Sequence, residues 1–230
     1  MANPHAILMA RCVSITKAGS PSVLKIIQMS EPVPKSDEVC IEVHYAGINF
    51  ADTLMRLGLY QPRPEYPFTP GYELSGVIHS LGDNVSGLEV GQRVVAAVPT
   101  GAQSSHVTVK TSRVIPVPDE MGLDAAAAMP VTYLTAHHML HYLGHLKKGE
   151  TVLIHGGAGG VGTAALQICQ WAGIENVWAT ASGSKSGIIE SFGGIPIDRH
   201  SQDFTEIIKQ ATDGRGVDHL NDAPWFSVNN

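Results

Sequence analysis

"HGGAGGVGTAALQ", residues 155–167, decides how the chain is read. It follows the apolar run TVLIH (151–155) and leads into small and aliphatic residues suited to a helix. Within it, Gly157-x-Gly159-x-x-Gly162 fits the GxGxxG spacing. One such glycine permits a tight turn, one lets a diphosphate approach the backbone, and one lets the helix pack on the strand. The helix N-terminus adds free amides and a partial positive charge. Gly157, Ala158, Gly159, Gly160, Val161 and Gly162 are therefore expected to hold the diphosphate of a dinucleotide. The alternative is a glycine-rich strand–helix turn that binds nothing. The regular series of strands and helices around the loop favours the ligand.

Working outward, NVWATA (176–181) reads as the next strand, with a helix from about 184 to 192 ended by Gly193-Gly194. A short strand at 195–197, a helix at about 203–211 and a strand from 217 follow. Repeated βα units predict a doubly wound parallel sheet. Before residue 120 the texture is different. SVLKIIQM, EVCIEVHYAGI, ELSGVIHSLG, GQRVVAAV and SHVTVKTSRVIPV are short runs, several of them alternating polar and apolar residues between Pro and Gly turns. They predict a compact, barrel-like β domain. The helical stretch 119–143, broken at Pro130, joins the two parts. The expected domains are 1–130 and 131–230.

Composition bounds the function. A net charge of −6 argues against a nucleic-acid partner held by phosphate contacts. No apolar run approaches the roughly 20 residues needed to span a membrane. The opening MANPHAILMARC is expected to hold no secretory leader. Three scattered cysteines, Cys12, Cys40 and Cys169, fit a reducing compartment, so a cytoplasmic location is expected.

The choice of coenzyme rests on the end of the second strand of the series. NAD sites place Asp or Glu there, about 20 residues beyond the loop. Here the segment is TASGSK (180–185), with Ser182, Ser184 and Lys185 but no carboxylate. Arg199, just past the third strand, could close over the same group. Hydroxyls and cations suit a 2′-phosphate, so NADP(H) is expected. The alternative for Lys185 is a solvated charge at a helix start.

At this point the residues carry a resemblance. GETVLIHGGAGGVGTAALQICQ (149–170), AGINFADTLMRLGLY (46–60), PFTPGYELSGVI (67–78) and AAAAMPVTYLTAHHML (125–140) resemble the zinc-free quinone oxidoreductases. These form the zeta-crystallin-like branch of the medium-chain dehydrogenase/reductases. The resemblance covers about residues 10 to 222. It implies a GroES-like β-rich N-terminal domain, a Rossmann-type α/β domain, and an active site in the cleft between them. It implies that Asn49 and Thr135 contact the nicotinamide end, that Ser182, Lys185 and Arg199 hold the 2′-phosphate, and that Tyr60 lines the substrate pocket. Zinc-dependent relatives carry His in a G-H-E segment, where this chain has Gly71-Tyr72-Glu73, and the chain has no cluster of four cysteines. No catalytic metal is expected.

The implied reaction is hydride transfer from NADPH to an acceptor already polarised by conjugation, a quinone or an α,β-unsaturated carbonyl. Tyr60 could donate a proton or hydrogen bond to the developing oxyanion, or be only a pocket wall. The alternatives are an enoyl reductase of a biosynthetic pathway and a non-catalytic NADPH-binding form acting through a partner. His137 and His141 share a helical face at a metal-binding spacing, with His145 four further on, but Gly144 is expected to end the helix and take His145 off that face, and packed or solvated histidines are favoured. His155 is expected to pack rather than react. Family members run longer, with two more strands, and Trp225 stands where the family usually has Gly. The sheet is therefore expected to be incomplete, with its fourth strand an open edge where a second copy or a full-length relative could pair, and activity is expected to be impaired.

Overall fold

The computed structural model describes residues 9–61 and 64–222. The expectations for the first eight residues and for Trp225 lie outside the described residues. The chain divides into two compact units between Val131 and Thr132.

The first unit contains β1 (Met9–Ile15), β2 (Leu24–Ser30), β3 (Glu38–Ala46), α1 (Phe50–Leu57), β4 (Glu73–Leu81), β5 (Arg93–Ala97), β6 (His106–Lys110), β7 (Val114–Pro116) and α2 (Leu123–Ala127). β1 and β2 pair as an antiparallel hairpin, and the other strands form an antiparallel sheet in the order β6-β3-β4-β5-β7. Alternation explains its core. β5 turns Val94 and Ala96 inward, to meet Val39, Ile41, Leu74, Ile78 and Val109 from neighbouring strands. The β3–β4 ladder slips register twice, between Cys40 and Ile41 and between Val43 and Tyr45. The run 105–117, read as one strand, is two: a 3₁₀ turn at Thr111–Arg113 sends β6 and β7 to opposite edges of the sheet. Neither β1 nor α1 was expected from local pattern.

α3 (Pro130–His137) crosses the division and then widens into a π-type turn over His138–Leu143, ended at Gly144. The second unit continues with β8 (Thr151–His155), α4 (Gly160–Trp171), β9 (Asn176–Ala181), α5 (Ser186–Ser191), β10 (Ile195–Asp198), α6 (Phe204–Ala211) and β11 (His219–Asp222). Four parallel strands lie in the order β10-β9-β8-β11. The chain winds outward from β8 to β10 and then returns to place β11 on the other side of β8. This reversal is the switch point at which doubly wound sheets bind ligands. The central residues of β8, Val152–Ile154, are apolar because both faces of the strand are covered there. Val152 and Ile154 pack with Ala164, Leu166 and Cys169, while Leu153 packs with Trp178, Ile197 and Ile208.

Two details depart from expectation. The helix read from about 184 begins as a 3₁₀ turn, Gly183–Lys185, so Lys185 stands just before α5. The strand read from 217 starts at His219, because Asp218 is drawn into hydrogen bonds with Thr151. Among the described residues no helix is long and apolar enough to cross a membrane. Cys12, Cys40 and Cys169 are buried free thiols.

Candidate coenzyme and substrate site

A cleft of about 340 Å³ opens where β8 passes into α4, a volume within the range of small-molecule sites. Ala158, Gly159, Gly160, Val161 and Gly162 line it, together with His155, Gly156, Ala181, Ser182, Lys185 and Arg199. The loop segment and the three polar residues that sequence reasoning assigned to opposite ends of an adenosine diphosphate thus share one cavity.

The glycines have separable duties. A Cβ on Gly162 would lie 2.3 Å from the Gly156 carbonyl oxygen and 2.7 Å from Gly157 Cα. One on Gly157 would lie 2.5 Å from Ala179 Cβ. Both contacts are strand–helix packing, and Gly157 is buried beneath the cleft rather than lining it. At Gly159 a Cβ would meet only the Gly156 oxygen, at 3.2 Å, so packing tolerates more there than at Gly162. Gly159 precedes α4 without a side-chain cap, which leaves the first amides of the helix without intrahelical partners. The cradle fits a diphosphate: it is open to the cleft, unobstructed by side chains, and carries the positive end of a three-turn helix.

Ser182, Lys185 and Arg199 come from two neighbouring strand ends. The Lys185 amide donates to the Ser182 carbonyl (2.8 Å), which closes the turn after β9, and the Arg199 amide donates to Ala181 (2.9 Å), which ties the β10 exit to it. Both cationic side chains are exposed, and neither forms an ion pair among the described residues. Arg199 Nε donates to His200 Nε2 at 3.2 Å. Sequence reasoning missed Asp198 in this corner. Its Oδ2 lies where a Gly183 Cβ would come within 2.9 Å of it. The His200 amide and the Ser201 hydroxyl donate to it and hold its carboxyl below the usual range. The carboxylate of an NAD site is expected at the end of the second strand of the series, whereas this one sits at the end of the third. His155 forms the cleft wall, with Nδ1 3.0 Å from Thr180 Oγ1 and its ring edge-on to Phe204 at 4.9 Å.

Asn49 and Tyr60 belong to the first unit. Asn49 caps α1, and its amide N–H donates to Asp52 Oδ2 at 2.8 Å. Its side-chain Nδ2 donates to Glu73 Oε1 at 2.8 Å, and the other Glu73 oxygen accepts from the Val131 amide at 2.8 Å. Glu73 is buried, and Gly47 makes room for it: a Cβ there would lie 2.2 Å from Oε1. The Asn49 side chain also accepts from the Asp52 backbone amide in the capping box of α1. Asp52 accepts a second bond from the Gly71 amide, and burial raises its carboxyl above the ordinary value while these amides pull the other way. Tyr60 is half-buried and meets Tyr72 edge-on at 6.2 Å. Burial first, and then Tyr60 and Asp52, raise the Tyr72 hydroxyl above its ordinary pKa. Thr135 is exposed on α3 and does not line the glycine cleft. His137 and His141 stack obliquely at 4.8 Å, in the stretch where α3 gives way to the π-type turn.

A β-rich unit followed by a parallel sheet with a glycine loop after its first strand is the architecture of a medium-chain dehydrogenase/reductase. Residues 35–119 match the alcohol dehydrogenase GroES-like domain family. The chain is 38% identical over 211 residues to the synaptic vesicle membrane protein VAT-1 homolog of Danio rerio, covering 90% of this chain and 43% of that protein. It is 32% identical over 211 residues to the quinone oxidoreductase of Homo sapiens, covering 90% and 64%. Among solved structures, the CurK enoyl reductase superposes with a TM-score of 0.86 at 36% identity, covering 92% of this chain and 66% of that one. A mycobacterial protein solved in complex with NADPH superposes at 0.83 and 32% identity, covering 91% and 66%. Within the superfamily this chain belongs to the zinc-free quinone oxidoreductase branch, which includes the VAT-1 homologues. It spans about half the length of the curated relatives it matches.

Proposed function

We propose that this chain is the coenzyme-binding part of an NADPH-dependent reductase acting on quinones or α,β-unsaturated carbonyls without a catalytic metal. The observation that carries this reading is the single cleft shared by Ala158–Gly162, Ser182, Lys185 and Arg199. NADPH, when bound, supplies the hydride. The α4 amides grip its diphosphate, and Lys185 and Arg199 neutralise the 2′-phosphate by charge-assisted hydrogen bonds. Glu73 fixes the Asn49 side chain, the residue that family resemblance assigns to the nicotinamide end. Tyr60 donates a hydrogen bond to the acceptor oxygen, supported from behind by Tyr72. Tyr72 in place of the G-H-E histidine, and the absence of a four-cysteine cluster, support the metal-independent reading.

Calorimetry with NADPH and NADH tests the coenzyme, with NADPH expected to bind at least about tenfold tighter. Equal affinities would remove the assignment. Turnover with a small quinone and with a short-chain enone tests the reaction, the enone being favoured by the likeness to an enoyl reductase. Binding without turnover on either would point instead to a non-catalytic coenzyme-binding role. Tyr60→Phe is expected to lower turnover at least about tenfold, and unchanged turnover would make Tyr60 a pocket wall.

A further inference from the structure

In the first unit the fold brings together two imidazoles and a carboxylate. Glu31 follows directly on β2, His79 lies in β4 and His106 opens β6. One ligand-type atom from each lies within 4.8 Å of the others. His79 Nε2 and Glu31 Oε1 are 2.8 Å apart, and the His79 and His106 rings meet edge-on at 5.1 Å. We propose that Glu31, His79 and His106 form a binding site for a divalent transition-metal ion of the zinc type.

The fold builds this meeting. β4 and β6 flank β3 on opposite sides, so two side chains must reach over the middle strand to touch. On β3, Cys40 faces Ser80 but the next residue, Ile41, faces Ile78, so His79 is the extra residue of a β-bulge. A bulge re-aims a side chain that a regular ladder would hold in strict alternation. His106 sits opposite Glu42, and its Nδ1 contacts the Ser105 hydroxyl at 3.2 Å. Such a contact orients a metal-binding imidazole and leaves one ring nitrogen for an ion. Glu31 is held close against the sheet, its side chain only 17% exposed, whereas His79 is 38% exposed, which leaves the trio an open side. An ion pair between Glu31 and His79 accounts for two of the three groups. It does not account for the second imidazole brought to the same point from the far side of β3.

The donor set selects the ion. Two imidazoles and one carboxylate suit zinc and its neighbours, whereas Mg²⁺ and Ca²⁺ require mostly oxygen. Ligand atoms about 2 Å from a zinc ion stand roughly 3.3 Å apart in a tetrahedron, so the trio, now within 4.8 Å, has to draw closer to hold one. Three protein ligands leave a coordination position for water.

The test uses the full chain stripped with chelator and titrated with Zn²⁺ against a chromogenic competitor. One equivalent is expected to bind more tightly than the rest, to raise the thermal midpoint, and to be indifferent to excess Mg²⁺. His79→Ala and Glu31→Gln are each expected to weaken that equivalent at least about tenfold, while His137→Gln leaves it unchanged. In the wild-type chain, ¹H–¹⁵N spectra of the imidazoles are expected to show the His79 and His106 rings responding to Zn²⁺. This readout does not depend on any variant folding. The site is overturned if no tight equivalent exists, if it survives His79→Ala and Glu31→Gln, or if the responding rings are His137 and His141.

Discussion

The glycine cleft and the Asn49 corner are both polar sites, yet they are built by opposite means. The cleft is made of backbone: consecutive amides from residues 158–162, freed by the start of one helix and left bare by glycine. The corner is made of side chains drawn from distant places, with Glu73 joining Asn49 to Val131 and Asp52 joining Asn49 to Gly71. A backbone site is a property of a short segment, and it fails when a side chain intrudes. A side-chain network is a property of the fold, and it fails when one member is lost and its partners are left buried without a bond.

Gly162→Val should break the comparison most violently. Its added carbons would overlap main-chain atoms of Gly156 and Gly157, which cannot rotate away. We expect a loss of about 3 kcal/mol of stability or more, read in thermal or urea unfolding, with coenzyme binding abolished. Glu73→Leu comes next. It leaves Asn49 Nδ2 and the Val131 amide without their acceptor, at about 1–3 kcal/mol. Turnover should fall with it, while calorimetry still finds NADPH held by its phosphates. Loss of both together would show that the two sites are not separable.

Smaller effects sharpen the contrast at the cleft rim. Lys185→Ala and Arg199→Ala should each cost about tenfold in NADPH affinity, leave NADH affinity and thermal stability unchanged, and matter less at high salt because both side chains are exposed. The smallest effect tests a carboxylate that ties a loop to a strand. Asp218 is held below its ordinary pKa by the Thr151 amide and hydroxyl and then by Arg215. A depressed folded value means that its contribution is full above the unfolded value, about 3.9, and is lost as pH falls through the lower folded one. Asp218→Asn should therefore lower the thermal midpoint at neutral pH, and the difference from wild type should begin to shrink only below about pH 4 and be lost beneath the depressed folded value.

How much was legible in the sequence follows the same division. The helix that the glycine loop leads into, α4, was legible because its start is set by glycines and its buried face by Ala164, Ala165, Leu166 and Cys169 in one window. β6 and β7 were read as one strand, because the turn at Thr111–Arg113 interrupts the alternation without Gly or Pro. β1 was overlooked because its partner is β2 and its signal is short. Asn49 and Tyr60 were named through family resemblance alone. The attachment of Asn49 to Glu73, 24 positions on, has no local signature.

The amino-acid order alone determined the βα series and the glycine loop between β8 and α4, because those depend on neighbours in the chain and on backbone geometry that glycine permits. Only the tertiary structure decided that Asp198 shares the corner of Lys185 and Arg199, that Glu73 aims Asn49, and that a bulge carries His79 to Glu31 and His106. Those meetings depend on strand order and register, which arise when distant apolar faces are buried together, and no short stretch of sequence contains them.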